Sequence, residues 1–405
     1  MTFDELYLEL LKSELIKTPP KLLEYNEEHL KCLLSPKDYP PVIKLCECKD
    51  NDCSSGCISA CIFNAIEIKN GMITINKELC TGCQKCINAC KEKKIVPSLD
   101  AVAAIKAVNN APLSFAVVAP SFMGQFKNCS AGSLRSAFKK LGFTGMVEVA
   151  LFADILTLKE ALEFKNNIKS NNDYMLTSCC CPVWISLIKN KYPSLLNHLA
   201  PNVSPMIACG RVIKALHKDA ITVFIGPCLA KKAEAKEKDL QGAIDYVLTF
   251  KEISDCFSIC NIDPNYEKEE LKDHSSTSGR IYAVSGGVSQ AVKSTVKKLE
   301  YKNKIPVKTK KAEGITALKE MLESIDTNKS NFFEGMGCIG GCVGGPKAII
   351  DKDLGATYAK QYANHSPYKT PLDNPFCMLL LKKLQINSEE ELLKSSLFKR
   401  NIFTK

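Results

Sequence analysis

The chain has 405 residues, 45% of them hydrophobic and 24% charged, with 54 basic against 44 acidic residues and a net charge of +10. That length supports two or three domains with cores of their own, and the composition is that of a globular protein, not a disordered or fibrous one. No run of about 18 uninterrupted apolar residues is present, so no transmembrane helix is expected. The lysines are scattered and few aromatics interleave with them, which argues against nucleic acid and fits attraction of an acidic electron carrier. The start, Met1-Thr2-Phe3-Asp4-Glu5-Leu6, lacks the basic end and apolar stretch of a signal peptide. The expected location is therefore the reducing cytoplasm, where 21 cysteines are poor disulfide candidates and metal binding or redox catalysis becomes their leading use.

Residues 1 to about 40 read as helical, with Phe3, Leu6, Tyr7, Leu10 and Leu11 at helical spacing. Pro19-Pro20 breaks that pattern, and a second short helix is expected from Leu22 to Leu34, before Pro36. A cysteine-rich stretch follows to Pro97, with short strand-like runs at Ile66-Glu67-Ile68 and Met72-Ile73-Thr74-Ile75. Ser98 to Asn110 reads as a helical connector. Beyond it, buried-strand runs alternate with helical stretches: Leu113 to Val118, Ile221 to Ile225 and Tyr246 to Phe250. Such alternation predicts an α/β domain with largely parallel sheets. There is no tandem repeat and no low-complexity linker, and the tail from about Lys352 is polar, helical and expected to wrap the main domain.

The cysteine spacings carry the chemistry. Cys80-x-x-Cys83-x-x-Cys86-x-x-x-Cys90 has the spacing of the bacterial ferredoxin run, in which three cysteines of one tight loop hold one cubane and the fourth reaches a neighbouring cluster. The upstream partner is irregular: Cys46-x-Cys48, then Cys53, Cys57 and Cys61, with Ile62-Phe63-Asn64-Ala65-Ile66 following as in the second half of such a motif. We assign Cys61, Cys80, Cys83 and Cys86 to one [4Fe–4S] cluster. Cys48, Cys53, Cys57 and Cys90 take the other, with either Cys46 or Cys48 able to supply its first ligand. Zinc is the competing occupant of paired cysteines. The role of two adjacent cubanes would be to pass electrons.

Further along stand three more segments: Thr177-Ser178-Cys179-Cys180-Cys181-Pro182, Pro227-Cys228-Leu229-Ala230-Lys231-Lys232-Ala233-Glu234, and Glu334-x-Met336-x-Cys338-x-x-x-Cys342-x-Gly344-Gly345. Their order, behind a two-cluster ferredoxin-like stretch, resembles the [FeFe]-hydrogenases over roughly residues 40–400. Ala119-Pro120-Ser121, Ser285-Gly286-Gly287-Val288 and Asp373-Asn374-Pro375 add to the likeness. The resemblance implies a two-lobed α/β catalytic domain with parallel-type sheets, preceded by a small α+β module of bacterial-ferredoxin type. The corresponding divisions are 1–40 as a helical segment, 41–98 as the two-cluster module, 110–351 as the catalytic domain and 352–405 as a helical wrap.

It also implies the H-cluster, a [4Fe–4S] cubane joined through a cysteine sulfur to a two-iron unit with carbon monoxide, cyanide and azadithiolate ligands. Cys181, Cys228, Cys338 and Cys342 match its cubane ligands, with Cys342 bridging. Each sits beside Pro or Gly, where tight turns can turn a thiolate inward. Lys231 matches the lysine that donates to a cyanide, where a charged donor makes the stronger bond. Ala119, Pro120, Ser121, Pro227, Ser204 and Met336 match positions around the cofactor. The activity implied is reversible interconversion of H2 with protons and electrons, with a ferredoxin-type carrier and hydrogenase maturation proteins as partners, and neither nucleic acid nor membrane. Alternatives within reach of the same ligands are an H2 sensor and an iron–sulfur assembly protein lacking the two-iron unit.

Heterolytic H2 cleavage needs a base and an exit for the proton. The stretch Ala153 to Phe164 resembles the family segment bearing two relay glutamates, here Glu160 and Glu163, which a helix would put on one face. Cys180 then falls at the relay thiol, and Cys179 at a place usually held by serine. Four departures stand out: Ala200 where the family has a relay serine, Asn167 for an arginine at the outer end, Gly226 for a methionine before Pro227, and Met206 for a glutamine. They predict a proton path altered in its middle and a looser metal pocket. Cys32, Cys129, Cys209, Cys256, Cys260 and Cys377 have no ligand-like spacing and are expected to be structural.

Overall fold

A computed structural model of the chain describes residues 1–45, 56–127, 129–301 and 304–402. Cys46, Cys48 and Cys53, expected as cluster ligands, lie outside the described residues.

Among the described residues eleven strands are formed: β1 (Val42–Lys44), β2 (Ile66–Lys69), β3 (Met72–Ile75), β4 (Ile95–Pro97), β5 (Ser114–Val118), β6 (Gly145–Glu148), β7 (Met175–Leu176), β8 (Ile221–Gly226), β9 (Tyr246–Thr249), β10 (Thr309–Glu313) and β11 (Phe332–Met336). The fold is α/β, built on two parallel sheets. One has the order β6-β5-β8-β9 and the other β10-β11-β7, with every pairing parallel. The described residues of the cysteine-rich stretch contribute two antiparallel pairs, β1 with β4 and the hairpin β2–β3.

Parallel strands covered on both faces carry apolar side chains on both, which is why β5 and β8 read as continuous apolar runs. Val117 and Phe224 face the helices Ala150–Asn167 and Pro205–Leu216. Ala116, Val118, Val223 and Ile225 face the opposite layer, made by the helices Ala101–Asn110, Ala131–Lys140 and Phe250–Ile259. The N-terminal helix Phe3–Ile16 packs into that second layer through Phe3, Leu6, Leu10 and Leu11. Trp184, Leu176 and Phe333 form a separate core around the smaller sheet.

Two expected boundaries shift, both for capping reasons. The second helix runs Glu27–Leu34, not from Leu22, because Asn26 accepts the backbone N–H groups of Glu28 and His29 and so fixes the start. The run ending at Phe250 divides at Thr249, whose side chain and Glu252 form a capping box that opens the helix Phe250–Ile259. The tail forms helices Lys352–Asn364, Pro375–Lys383 and Glu389–Lys394. Cys377, Leu381, Leu392 and Phe398 enter the core around Ala150–Asn167. Cys32, Cys129, Cys209 and Cys256 are likewise buried, and Cys260 is partly so. Among the described residues no helix is long and apolar enough to cross a membrane.

Candidate active site

The three downstream cysteine segments leave the carboxyl ends of parallel strands, where open α/β sheets gather ligand sites. β7 runs into Thr177–Pro182, β8 into Pro227-Cys228, and β11 into Gly337-Cys338. β5 delivers Ala119 and Pro120 in the same way. Glu334 fixes the last of these segments: its buried carboxylate accepts the N–H groups of Gly286 (2.7 Å) and Ser289 (2.8 Å), at the start of the helix Gly287–Lys298. Lys347 donates its N–H to Pro227 O at 3.0 Å and ties the Cys342 loop to the Cys228 segment.

These ends enclose one cavity at the carboxyl edge of both sheets. Cys180, Cys181, Cys228, Cys338 and Cys342 line it together with Lys231, Ala119, Pro120, Pro227 and Met336. Burial pushes the thiols of Cys228 and Cys342 up, to about 11 and about 12, and raises Cys338 well above the ordinary range. Lys231 donates to Glu234 Oε2 at 2.6 Å. Burial is the largest influence and opposes the Lys231 charge, yet Glu234, with Cys180 and Cys228 nearby, together outweighs it and the ammonium is held above its ordinary pKa. The Ser121 hydroxyl, next in the chain to Pro120 but not itself lining the cavity, is buried with no partner, as is Glu234 Oε1. Ser204 caps the helix Pro205–Leu216 by accepting the Ile207 N–H at 3.3 Å and does not line the cavity.

The pocket beside Gly226 is not the looser one expected. A Cβ on Gly226 would lie 2.8 Å from the Phe224 ring, so that ring takes the room a side chain would need. Phe224, Val149, Met206 and Tyr282 complete the wall.

Glu160 and Glu163 lie on the helix Ala150–Asn167, and Glu160 is fully buried. Burial raises Glu160 to about 7, against hydrogen bonds from Thr177, Cys179 and Asn202 that pull it down. The adjacent thiols part company: Cys179 donates to Glu160 Oε1 at 3.3 Å, while Cys180 faces the cavity. Glu163 accepts from Lys159 Nζ at 2.5 Å and from Asn202 Nδ2 at 2.7 Å. Lys159, Thr177, Cys179 and Asn202 escaped sequence reasoning as contacts of the glutamates. A lysine within an otherwise largely apolar helix turn, next to Glu160, was the one available sign.

A second, small pocket is lined by Cys61, Cys80, Cys83 and Cys86 with Thr81 and Gln84, whose Oγ1 and Nε2 are buried without partners. Cys90 accepts the Lys94 N–H at 3.3 Å, and Cys57 is buried beside this group. The two sites adjoin. Cys83, Cys228 and Cys338 share the walls of a cleft between them. Gly82 approaches so closely that a Cβ there would sit 2.9 Å from the Leu229 carbonyl.

Residues 113–346 match the family model described as iron only hydrogenase large subunit, C-terminal domain. The chain belongs to that family. It is 28% identical over 304 residues to iron hydrogenase 1 of Clostridium pasteurianum, which covers 62% of this chain and 53% of the relative. It is 22% identical over 385 residues to the NADP-reducing hydrogenase subunit HndD of Solidesulfovibrio fructosivorans, covering 79% and 66%. It thus spans about half to two thirds of the length of these curated relatives. Its fold is shared with a solved structure described as a stage of stepwise [FeFe]-hydrogenase H-cluster assembly, at 18% identity and TM-score 0.57, covering 73% of this chain and 97% of that one. A variant of a Chlamydomonas reinhardtii [FeFe]-hydrogenase gives TM-score 0.55 at 18% identity, covering 71% and 96%.

Proposed function

We propose that this iron-only hydrogenase family member is an [FeFe]-hydrogenase that interconverts H2 with protons and electrons in the cytoplasm. The observation that carries the reading is the convergence of Cys181, Cys228, Cys338 and Cys342 on one buried cavity from three chain segments. The donor set fits a cluster.

In this reading Cys181, Cys228, Cys338 and Cys342 would hold the H-cluster. The bound group supplies the metal centre at which H2 is cleaved or formed. Lys231, steered by Glu234, presents a cation into the cavity for an anionic ligand, and the free Ser121 hydroxyl is a donor available on the Ala119-Pro120 side. Met336, Phe224, Val149 and Met206 keep the cavity apolar and exclude bulk water. Cys180 sits where a thiol can take a proton from the cavity, and its strongly raised pKa, chiefly from burial, keeps it protonated. Glu160, at about 7, holds and releases a proton near neutral pH, as a relay requires. Glu163 lies on the same helix, further out.

Cys61, Cys80, Cys83 and Cys86 would hold one electron-transfer cubane, and Cys57 and Cys90 would serve the second with the cysteines at 48 and 53, that at 46 being an alternative first ligand to that at 48. The cleft shared by Cys83, Cys228 and Cys338 supports an electron route from this module, at 41–98, into the catalytic domain, at 110–351. A ferredoxin-type carrier would supply the electrons, and dedicated maturation proteins the two-iron unit.

The test is anaerobic reconstitution with iron and sulfide, maturation, and assay of H2 evolution from a reduced viologen. Turnover lost on Cys338→Ser supports the reading. A fully loaded, matured protein without turnover contradicts it.

A further inference from the structure

One residue of the cysteine loop beside the cavity is held in a conformation that its type resists. Gln84, directly after Cys83, has φ 64° and ψ 4°, the left-handed region that glycine occupies freely and other residues rarely enter. Its side chain does not reach solvent. Gln84 is only 4% exposed, and its Nε2 is buried without a partner. We propose that Gln84 donates a hydrogen bond to the cluster held by Cys61, Cys80, Cys83 and Cys86, and that this bond raises the reduction potential of that cluster. The proposal rests on the reading of those four cysteines as cubane ligands and deepens it.

Two separate costs meet at this residue. Left-handed backbone at a residue with a Cβ persists where the surroundings impose it, and such places cluster at functional sites. A buried amide N–H without an acceptor is also rare in folded proteins. A sulfur acceptor in the pocket accounts for both, because the backbone strain is what turns the amide inward. Apart from Thr81 and the cysteines, the pocket wall is made by the apolar side chains Val42, Phe63, Ala65 and Ile66, which offer the amide nothing.

The loop is clamped on both sides of Cys83. At Gly82 it lies against the Leu229 carbonyl, where a Cβ would come within 2.9 Å. At Gln84 it opens the helix Lys85–Ala89, and the Gln84 carbonyl accepts the Asn88 N–H at 3.2 Å. The amide is therefore carried on fixed backbone, as a donor of constant geometry must be.

An N–H donor favours the more negative, reduced form of an iron–sulfur cluster, and hydrogen bonds to the sulfurs are among the levers that set its potential. Cys83 shares the cleft with Cys228 and Cys338, so this cluster would stand next to the cavity on the electron route. A raised potential there would hold an electron beside the cavity. Gln84 keeps its protons throughout and acts on the cluster alone.

The test uses the full chain, reconstituted anaerobically with iron and sulfide and without a two-iron unit, so that no turnover is needed. The midpoint of this cluster is read by redox titration with electron paramagnetic resonance, its signal being the one absent from Cys80→Ala. Gln84→Gly suits the backbone and Gln84→Met keeps the bulk; neither has a donor. Both should load iron and sulfide as the wild type does, with the reduced-to-oxidised ratio at a fixed potential lowered about tenfold, the usual worth of one hydrogen bond. For a one-electron couple that is a fall of about 59 mV. Wild-type midpoints in both loaded variants would overturn the proposal and leave the ligand reading intact. A wild type that takes up no cubane at these cysteines would defeat the ligand reading and the proposal with it. Should neither variant load, the wild type decides: with nitrogen-15 in its glutamine side-chain amides, pulsed resonance of the reduced cluster should show a coupled nitrogen, and its absence would overturn the proposal.

Discussion

The thiol of Cys179 donates to Glu160 Oε1 across 3.3 Å, turned away from the cavity that its neighbour Cys180 lines. The triple cysteine thus turns the Cys179 and Cys180 thiols toward different surroundings at one backbone turn, closed by the Cys181 N–H to Ser178 O bond of 3.0 Å and by a positive φ of 70° at Ser178. In the proposed proton path Cys180 stands between cavity and relay, and Cys179 donates to the relay carboxyl.

The two cysteines should therefore respond differently to substitution. Cys180→Ala is expected to lower H2 turnover by about 10²-fold or more, the usual worth of a positioned acid or base, while cluster signals survive. Cys179→Ser keeps a donor to Glu160 and should stay within about tenfold of the wild type. Turnover assays with electron paramagnetic resonance check both; an active Cys180→Ala would sink the relay assignment.

Glu160 makes stability depend on pH. Its carboxyl is raised from 4.5 to about 7 by burial, so the folded chain holds a proton that the unfolded chain gives up. Its contribution is whole below about pH 4.5, declines as the pH climbs, and levels off above about pH 7. Glu160→Gln cannot ionise and escapes that decline. Urea melts of the metal-free proteins should show the variant gaining roughly 3 kcal/mol on the wild type between those limits. A difference that does not vary with pH would remove the basis for a neutral Glu160.

Lys231 and Glu234 are a buried pair, 2.6 Å apart. Lys231→Met leaves the Glu234 charge alone in the interior and should cost about 3–5 kcal/mol. Lys231→Met/Glu234→Gln should regain most of that stability without regaining turnover, because the cation facing the cavity is gone. Thermal melts and H2 assays on the same samples separate the two effects.

Gly82 is where the cysteine loop touches the Cys228 segment. Its φ is 72°, and a Cβ would meet the Leu229 carbonyl at 2.9 Å. Gly82→Ala should lower stability by about 1–3 kcal/mol through overpacking and a strained backbone. It should also slow reduction of the cavity cluster by electrons entering at the N-terminal module, read by rapid-freeze spectroscopy.

The sequence made the cysteine-bearing parts legible because ligand chemistry demands both a residue type and a local turn, and both are written within a few positions. Cys80, Cys83 and Cys86 line one pocket with Cys61, a grouping their spacing suggests, and the three downstream segments meet at another, a grouping the family resemblance implies. Strands β5 and β8 were legible because burial on both faces leaves unbroken apolar runs. Helix starts were missed where one capping side chain, Asn26 or Thr249, outweighs hydrophobic pattern. The Asn202–Lys159–Glu163 cluster could not be read, because it depends on Phe398 and Lys399 pairing with a loop nearly two hundred positions earlier. Nor could Phe224 turning over Gly226, which is a matter of rotamer and packing, be inferred from pattern alone.

Infrared spectroscopy of the matured protein tests the central claim most directly, because metal-bound carbonyl and cyanide stretches absorb where polypeptide does not. The account predicts those bands in the wild type and their loss on Cys342→Ser, with the N-terminal clusters still loaded. Bands that persist unchanged in Cys342→Ser, or a matured wild type that carries its N-terminal clusters and shows no such bands, would contradict it.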